Sequence, residues 1–143
     1  MEKRDLVERW FTKIWEQADM SALDELLSAS VGDGGAIDGM VFPRHELPEL
    51  VNVVRELIGP PRVRILRFLE DGDWCSTHYE MTSEGPDRQM PLRVEGMILI
   101  RVDKGRIAEL TTKFDSFELF EQLGQLPPEA LVTCLTGQKL VWG

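Results

Sequence analysis

The hydrophobic periodicity of this chain changes at Gly59-Pro60-Pro61. Before that point the apolar residues recur at helical spacing, and after it they alternate as they do in β-strands. Proline cannot continue a helix and restricts the residue before it to extended conformations, so a helix is expected to end here. A chain that places its helices first and consecutive strands afterwards is expected to fold as an α+β layer structure.

Three amphipathic segments lie before this break. The apolar stripe of the first has i, i+4 and i+8 spacing and consists of Leu6, Val7, Trp10, Phe11, Ile14, Trp15 and Ala18. Ser21 followed by Asp24 resembles a capping box, which predicts that a second helix begins there. A third helix is expected from His45 to Ile58, with Pro48 in its first turn. The glycine-rich residues 32–40 are expected to form a turn, a short strand and a second turn.

The rest of the sequence predicts four strands and a short closing helix. Asp71-Gly72 is a hairpin signal, and Asp103-Lys104-Gly105 is a second turn. A closing helix that contains Phe117 and Leu123 is expected to end at Gly124, and the tail at 127–143 receives no assignment. The strands are expected at 62–70, at 74–82, around 92–100 and at 106–114.

Length and charge limit the functional classes. The 143 residues are expected to form one domain, 1–143, with one core. The net charge of −9 argues against a nucleic-acid partner, because phosphate binding needs a surplus of Lys and Arg. No apolar run approaches the ~18 residues of a membrane span, so we expect no membrane partner. A cytoplasmic location, with Cys75 and Cys134 as reduced structural thiols, fits this composition.

No metal or nucleotide cofactor is expected. His45 and His78 are the two histidines of the chain, too few for a His-rich metal site. Gly32, Gly34 and Gly35 do not connect a strand to a long helix, so they do not form a phosphate-binding loop. No serine lies in a nucleophile elbow. An enzyme built on this sequence is therefore expected to work without a cofactor.

Several local motifs occur in a characteristic order. The motif "ADMSALDELL" closes the opening helical region, "EDGDW" turns a hairpin, and "DKGRI" leads into "ELTTKFDSFELFEQLG". Over residues 5–126 they resemble the SnoaL-like branch of the nuclear transport factor two-like superfamily. The resemblance implies a cone-shaped, curved, mostly antiparallel sheet wrapped over N-terminal helices around an internal apolar pocket. The superfamily includes polyketide cyclases, ketosteroid isomerases, epoxide hydrolases and binding modules, so the fold alone does not select a function.

Asp115 is the first candidate for chemistry. The resemblance to SnoaL-like cyclases implies a general acid/base at this strand end, acting on an acidic C–H of the substrate. Such a role needs a carboxylate in a largely apolar cavity, where desolvation raises its pKa. The alternative is structural, because Asp115-Ser116-Phe117-Glu118 is also a capping-box pattern.

His78 and Glu80 form the second candidate set. They are two residues apart in one predicted strand and therefore point to the same face. Limonene-epoxide-hydrolase-like members of the superfamily carry Arg-x-Asp in the corresponding strand and a further Asp before the last helix. The similarity implies water activation and epoxide protonation by His78, Glu80 and Asp115. The sequence departs from that pattern, since histidine lacks the guanidinium fork and glutamate is longer than aspartate.

Several further residues are expected to line the pocket. Lys113 alternates in phase with Asp115, so it could reach the same cavity or remain exposed. The aromatic and aliphatic candidates for the pocket wall, which could equally be core residues, are Trp10, Ile14, Trp15, Phe68, Met97 and Phe114.

Three functional classes therefore remain open. The first is a cofactor-independent cyclase, isomerase or hydrolase of a hydrophobic small molecule, in which Asp115 acts with His78. The second is a module of the same shape that binds a ligand without turning it over. The third is an interaction domain that uses its sheet face. Met97 and Leu99 alternate with Ile98 and Ile100, so both sheet faces carry apolar residues and a homodimer through the face that the helices leave open is expected.

Overall fold

The structure is a computed structural model that describes residues 2–29, 31, 36–37, 40–41 and 43–141.

The opening helix changes its geometry halfway along. Helix α1, Lys3–Arg9, continues directly into a π-helical segment, Trp10–Glu16. The wider turn is visible in the hydrogen bond from Gln17 N to Thr12 O, 3.0 Å long. Such segments are often found at functional sites, and this one brings aromatic side chains onto the inner side of the sheet.

The second helix is short, and a helical turn that begins earlier than the sequence pattern indicated leads into it. A 3₁₀ turn, Met20–Ala22, precedes helix α2, Leu23–Leu26. Asp19, and not Ser21, is the capping residue, because its carboxylate accepts a hydrogen bond from the backbone N–H of Ser21. The capping box predicted at Ser21 and Asp24 is therefore wrong by two residues, while a helix in this region is confirmed.

The third helix agrees with the sequence prediction. A 3₁₀ turn, Arg44–Glu46, leads into helix α3, Leu47–Ile58, which carries a proline in its first turn. Gly59 follows it with a φ of +80°, a conformation that glycine adopts at little cost. Glycine is also required sterically, because a Cβ at this position would lie 2.4 Å from the carbonyl oxygen of Gly85.

A six-stranded sheet forms the other layer. Its order is β2-β1-β6-β5-β4-β3, and all neighbouring pairs are antiparallel except β1 and β6. The strands are β1 Ala36–Ile37, β2 Met40–Val41, β3 Arg62–Asp71, β4 Trp74–Ser83, β5 Leu92–Asp103 and β6 Arg106–Phe114. The four long strands confirm the prediction. The predicted turn at 32–35 and that at 38–39 lie outside the described residues.

Strict alternation along β5 separates the two faces of the sheet. Leu92, Val94 and Ile98 are buried against the helices, whereas Met97 and Leu99 point to the opposite, exposed face. We call these the inner and the outer face. Antiparallel pairing extends the assignment across the sheet, since directly paired residues share a face. The hydrophobic core lies between the inner face and helices α1, α2 and α3 together with the π-helical segment.

A β-bulge in β3 keeps this assignment consistent. Ile65 pairs with Tyr79 and Arg67 pairs with His78, so Leu66 is an extra residue. A bulge bends its strand and increases the local twist, which contributes to the curvature of the sheet. The α+β class with a curved, mostly antiparallel sheet over N-terminal helices is thus confirmed.

The C-terminal region contains two short helices. Helix α4, Ser116–Gln122, follows β6 directly, and Gly124 adopts a φ of +77° just after it. Helix α5, Ala130–Leu135, lies in the segment that the sequence left unassigned. Among the residues described, no helix is both long and apolar enough to cross a membrane.

Candidate functional site

The inner face and the helices enclose a cavity of about 410 Å³. The π-helical segment contributes Trp10, Phe11 and Trp15 to its wall, and α3 contributes residues that include Leu50 and Val54. The π-helical segment thus places three aromatic side chains against the cavity. We call this space the inner cavity.

Strands β4 and β6 form the opposite wall of the inner cavity. Tyr79 and Met81 come from β4, and Leu110, Thr112 and Phe114 come from β6. All five belong to the inner-facing phase of their strands. Of these five residues only Phe114 was predicted from the sequence to line the pocket. The alternation in β6 also indicates Leu110 and Thr112, because they lie in phase with Phe114.

Three hydroxyl groups interrupt the apolar lining. They belong to Tyr79, Thr112 and Ser116. The Tyr79 ring packs against Phe11 with 4.7 Å between the ring centroids, and its hydroxyl lies over Gly96 on the paired strand. A Cβ on Gly96 would lie 2.5 Å from this hydroxyl oxygen, so glycine is needed for Tyr79 to occupy its place. Among the residues that the structure describes, no Asp, Glu, His, Lys or Arg lines this cavity.

A second, more open cavity of about 420 Å³ lies on the outer face. His78, Glu95, Met97, Lys113 and Asp115 contribute to its lining. We call it the outer depression. The structure therefore brings Asp115 and His78 to one cavity, as a concerted role requires, but this cavity is separate from the inner cavity.

The predicted pocket-lining residues are divided between different environments. Trp10, Trp15 and Phe114 line the inner cavity, whereas Met97, Lys113 and again Phe114 line the outer depression. Two others line neither of these cavities, which corrects their expected role. Ile14 is completely buried in the core, and Phe68 packs against the core beneath the Arg4 guanidinium group.

Both ring nitrogens of His78 have partners. Nδ1 lies 3.1 Å from Nη1 of Arg67, and Nε2 lies 3.1 Å from Oε1 of Glu95. Arginine can only donate, so Nδ1 accepts and Nε2 carries the proton that it donates to Glu95. His78 is therefore fixed between two charged side chains on the outer face.

Glu80 has the same orientation as His78 but a different environment. Only 8% of the residue is exposed, and its carboxylate accepts hydrogen bonds from Nε of Arg93 at 2.6 Å and from Nη2 of Arg64 at 3.5 Å. The hydrogen bond from Arg93, supported by the positive charges of both arginines, lowers the pKa of Glu80 despite the opposing effect of burial. Glu80 does not line the outer depression.

Asp115 caps helix α4. It is exposed, and its Oδ1 accepts a hydrogen bond from the backbone N–H of Glu118 at 3.1 Å. Its own backbone N–H donates to the carbonyl oxygen of Glu95, which joins the cap to β5. The capping role expected from the sequence pattern is confirmed by this geometry.

Thiols and metal ligands add no further candidate in the described residues. Cys75 is buried, and burial raises the pKa of its thiol, while Cys134 is exposed. No group of three or more His, Cys, Asp or Glu side chains in the described part of the chain is arranged to hold a metal ion.

The comparisons with known proteins identify the family. The model of the SnoaL-like domain matches residues 7–110, so the chain belongs to the SnoaL-like domain family. A search of curated proteins finds no match.

Solved structures share the fold at low sequence identity. AclR, a hydroxylase candidate from Streptomyces galilaeus, is 12% identical with a TM-score of 0.72, covering 94% of this chain and 89% of its own. IdmH, a polyketide cyclase candidate from Streptomyces antibioticus, is 17% identical with a TM-score of 0.70, and the match covers 87% of this chain and 99% of IdmH. An epoxide hydrolase from M. tuberculosis described as LEH-like is 18% identical with a TM-score of 0.62, and the match covers 94% of this chain and 95% of the hydrolase. These likenesses establish the fold and leave the activity of this chain open.

The cap at Asp115 can be tested by two substitutions. We expect Asp115→Ala to lower the free energy of unfolding by about 1 kcal/mol, because the N–H of Glu118 loses its acceptor. Asp115→Asn should be nearly neutral, because an amide oxygen can accept the same bond. Denaturant unfolding of both variants measures the difference. Equal losses for the two would contradict the capping role.

The Glu80 pair gives a prediction about pH. The lowered pKa means that the charged carboxylate stabilises the fold, fully so above the ordinary glutamate pKa of about 4.3. This contribution is lost as the pH falls through the lower pKa of the folded state. We therefore expect the free energy of unfolding of the wild type to exceed that of Glu80→Gln at pH 7, and this difference to become smaller below pH ~4.

Glu109→Gln is the matched control for this measurement. It breaks the Arg101–Glu109 pair, which is more exposed and lies on the same face, and exposed pairs contribute little to stability. Urea unfolding across the pH range should show a much smaller gap for the control. A gap for Glu80→Gln that does not change with pH would contradict the assignment.

Proposed function

We propose that this protein binds a neutral, hydrophobic small molecule in the inner cavity and does not perform acid–base chemistry there. The observation that supports this most directly is the lining of the cavity, which is aromatic and aliphatic with three hydroxyl groups. Burying an unpaired charge is costly, and the described wall offers no opposite charge. A neutral ligand is therefore favoured over an ionised one.

The dimensions of the inner cavity suit such a ligand. A volume of about 410 Å³ falls within the ~300–1,000 Å³ typical of small-molecule sites. Aromatic side chains on one wall and aliphatic side chains on another favour a flat or compact ring system. The hydroxyl groups of Tyr79, Thr112 and Ser116 can orient one polar group of the ligand by hydrogen bonds.

The catalytic alternatives need residues that lie elsewhere. A cyclase or isomerase that used Asp115 would have to bind its substrate in the outer depression, where both ring nitrogens of His78 already have partners. An epoxide hydrolase mechanism would place His78, Glu80 and Asp115 around one water molecule. Glu80 is instead held by Arg93 and Arg64 outside that depression. Ligand binding in the inner cavity needs none of these rearrangements.

Two fluorescent probes and two variants test the proposal. N-phenyl-1-naphthylamine is neutral, and 8-anilinonaphthalene-1-sulfonate adds a sulfonate to the same skeleton. We expect the neutral probe to bind with enhanced fluorescence and the anionic probe to bind at least about tenfold more weakly, a difference of about 1.4 kcal/mol. Val54→Phe, which fills the inner cavity, should lower the affinity for the neutral probe by a similar factor.

Val53→Phe is the matched control for cavity filling. Val53 lies on the same helix but is exposed, so a phenyl ring there leaves the cavity open. Its probe affinity should equal that of the wild type. Equal binding by Val54→Phe and Val53→Phe, or preference for the sulfonate probe, would place the ligand elsewhere and overturn the proposal.

We further propose that two copies associate through the outer face. Leu69 and Met97 are 72% and 52% exposed there, and Trp74 and Leu99 extend the apolar patch. Charged residues of both signs surround it, including the Arg101–Glu109 pair. A two-fold interface requires a self-complementary surface, and an apolar centre with mixed charges at its rim meets that requirement.

Sedimentation velocity tests the dimer. We expect the wild type to sediment as a dimer at micromolar concentration and Leu99→Glu to sediment as a monomer of 16.3 kDa, because a buried unpaired carboxylate is costly. Val53→Glu, which adds the same charge to the exposed side of α3, should remain dimeric. A monomeric wild type would refute the proposal.

A further inference from the structure

A third cavity, of about 580 Å³, lies where β3 begins and β4 ends. Its lining includes Arg62, Arg88, Thr82, Ser83 and Glu84. We call it the arginine groove. Its polar lining distinguishes it from the inner cavity, and none of its lining residues belongs to either of the other two cavities.

The two arginines of this groove have no partners among the described residues. Neither Arg62 nor Arg88 forms an ion pair or a side-chain hydrogen bond with any of them. The neighbouring arginines on the outer face behave differently. Arg64 and Arg93 bind Glu80, and Arg67 contacts His78. The guanidinium groups of Arg62 and Arg88 therefore keep all their donors available at a concave surface.

The loop that carries Arg88 is built by specific contacts. The hydroxyl of Ser83 donates to the carbonyl oxygen of Ile58 at 2.7 Å and accepts from the backbone N–H of Gly85. The backbone N–H of Arg88 donates to the carbonyl oxygen of Gly85, and that of Met90 to the carbonyl oxygen of Glu84. These bonds fix the position of Arg88 relative to the strand that carries Arg62.

Arg88 also has an unfavourable backbone conformation. Its φ is +63°, in the left-handed region, which costs a non-glycine residue roughly 1–2 kcal/mol. Glycine would adopt this conformation without that cost. The loop therefore retains an arginine side chain, exposed and unpaired, at a position where backbone energetics favour glycine. Residues kept in such conformations often serve a binding or catalytic role.

We propose that the arginine groove binds the phosphate monoester group of a small molecule. Guanidinium groups recognise phosphate oxygens through paired N–H donors, and the hydroxyl of Thr82 is a further donor in the lining. Arg62 and Arg88 can both donate to one phosphate group. Glu84 in the same lining reduces the net charge of the groove to +1, so anion binding there depends on direct hydrogen bonds from the guanidinium groups rather than on the net charge alone. The volume of 580 Å³ exceeds that of the phosphate and leaves space for an organic part.

The net charge of the protein limits which phosphate ligands can bind the arginine groove. With a net charge of −9 the protein repels anions at long range, so extended polyanions are not expected to associate. A single phosphate group held by two local guanidinium groups overcomes this field at short distance. The groove is independent of the inner cavity, and its ligand differs in charge from the neutral ligand proposed there.

Glycerol 3-phosphate and a pair of glycine variants test the proposal. Arg88→Gly removes the guanidinium and relieves the strained backbone. Lys104→Gly is the matched control. It also removes a positive charge and relieves a left-handed backbone conformation, since Lys104 has a φ of +53° in the β5–β6 turn. We expect both variants to be at least as stable as the wild type without ligand. Only Arg88→Gly should lose affinity for glycerol 3-phosphate in calorimetry, by at least about tenfold.

A second pair addresses the other arginine. Arg62→Gln should lower the affinity for glycerol 3-phosphate to a similar extent. Arg106→Gln, which removes an exposed arginine at the start of β6, should leave this affinity unchanged. Each titration is run against sodium chloride and succinate at equal ionic strength. Heats that match those of either control, or equal affinity of Arg88→Gly and Lys104→Gly, would overturn the proposal.

The source of the phosphate group is distinguished by vesicles. Vesicles of phosphatidylcholine that contain phosphatidic acid present the same monoester at a membrane surface. Arg88-dependent binding of glycerol 3-phosphate alone indicates a soluble phosphate ester. Arg88-dependent binding to these vesicles at much lower phosphate concentration indicates a lipid headgroup. Loss of both forms of binding in Arg88→Gly supports the groove, and loss of neither contradicts it.

Discussion

The alternation of side chains along β4, β5 and β6 determines where chemistry is located in this protein. In an antiparallel sheet, directly paired residues point to the same side, so one buried residue fixes the orientation of a whole row. Ile98 is buried against the helices, and its partners Thr77 and Thr112 share its side. Met97 therefore points outward together with His78 and Lys113. A slip of one residue in this register would exchange the contents of the two faces.

The two faces consequently differ in polarity. The inner face packs against the helices and must be apolar, and the space left between them remains apolar as well. The outer face carries the charges, and its most buried carboxylate needs partners to remain ionised. Arg93 and Arg64 supply them for Glu80, and Glu95 is occupied with His78. Side chains that resemble catalytic residues in sequence are thus engaged in holding the outer face together.

The sequence was sufficient for the order of elements and most of their boundaries. Strand β6 was predicted at 106–114 and is found there, and the helix before Gly59 ends as predicted. These features depend on local physics, namely alternation, turn residues and proline. The orientation of His78 was not predictable in the same way, because alternation shows that His78 and Glu80 share a face without showing which one. That choice depends on long-range pairing with β5 and on the bulge at Leu66.

The candidate site was predictable only in part for the same reason. Trp10 and Trp15 were placed in the pocket by helical periodicity, which does not depend on the sheet. Ile14 has the same periodicity but lies in the core and does not line the inner cavity, although it belongs to the same π-helical segment. The spacing of apolar residues in this segment does not distinguish a π-helix from an α-helix.

Phe114 shows how closely the two faces approach each other. It lines both the inner cavity and the outer depression, at the end of β6 where Asp115 begins to cap α4. A ligand bound in the inner cavity as proposed would therefore contact the residue that precedes the cap, and the proposed partner subunit on the outer face would approach the same ring from the other side. Substitution of Phe114 would change both surfaces at once, so it cannot separate ligand binding from association. Two other positions separate these effects, because Val54 of α3 lines the inner cavity alone and Leu99 lies on the outer face alone.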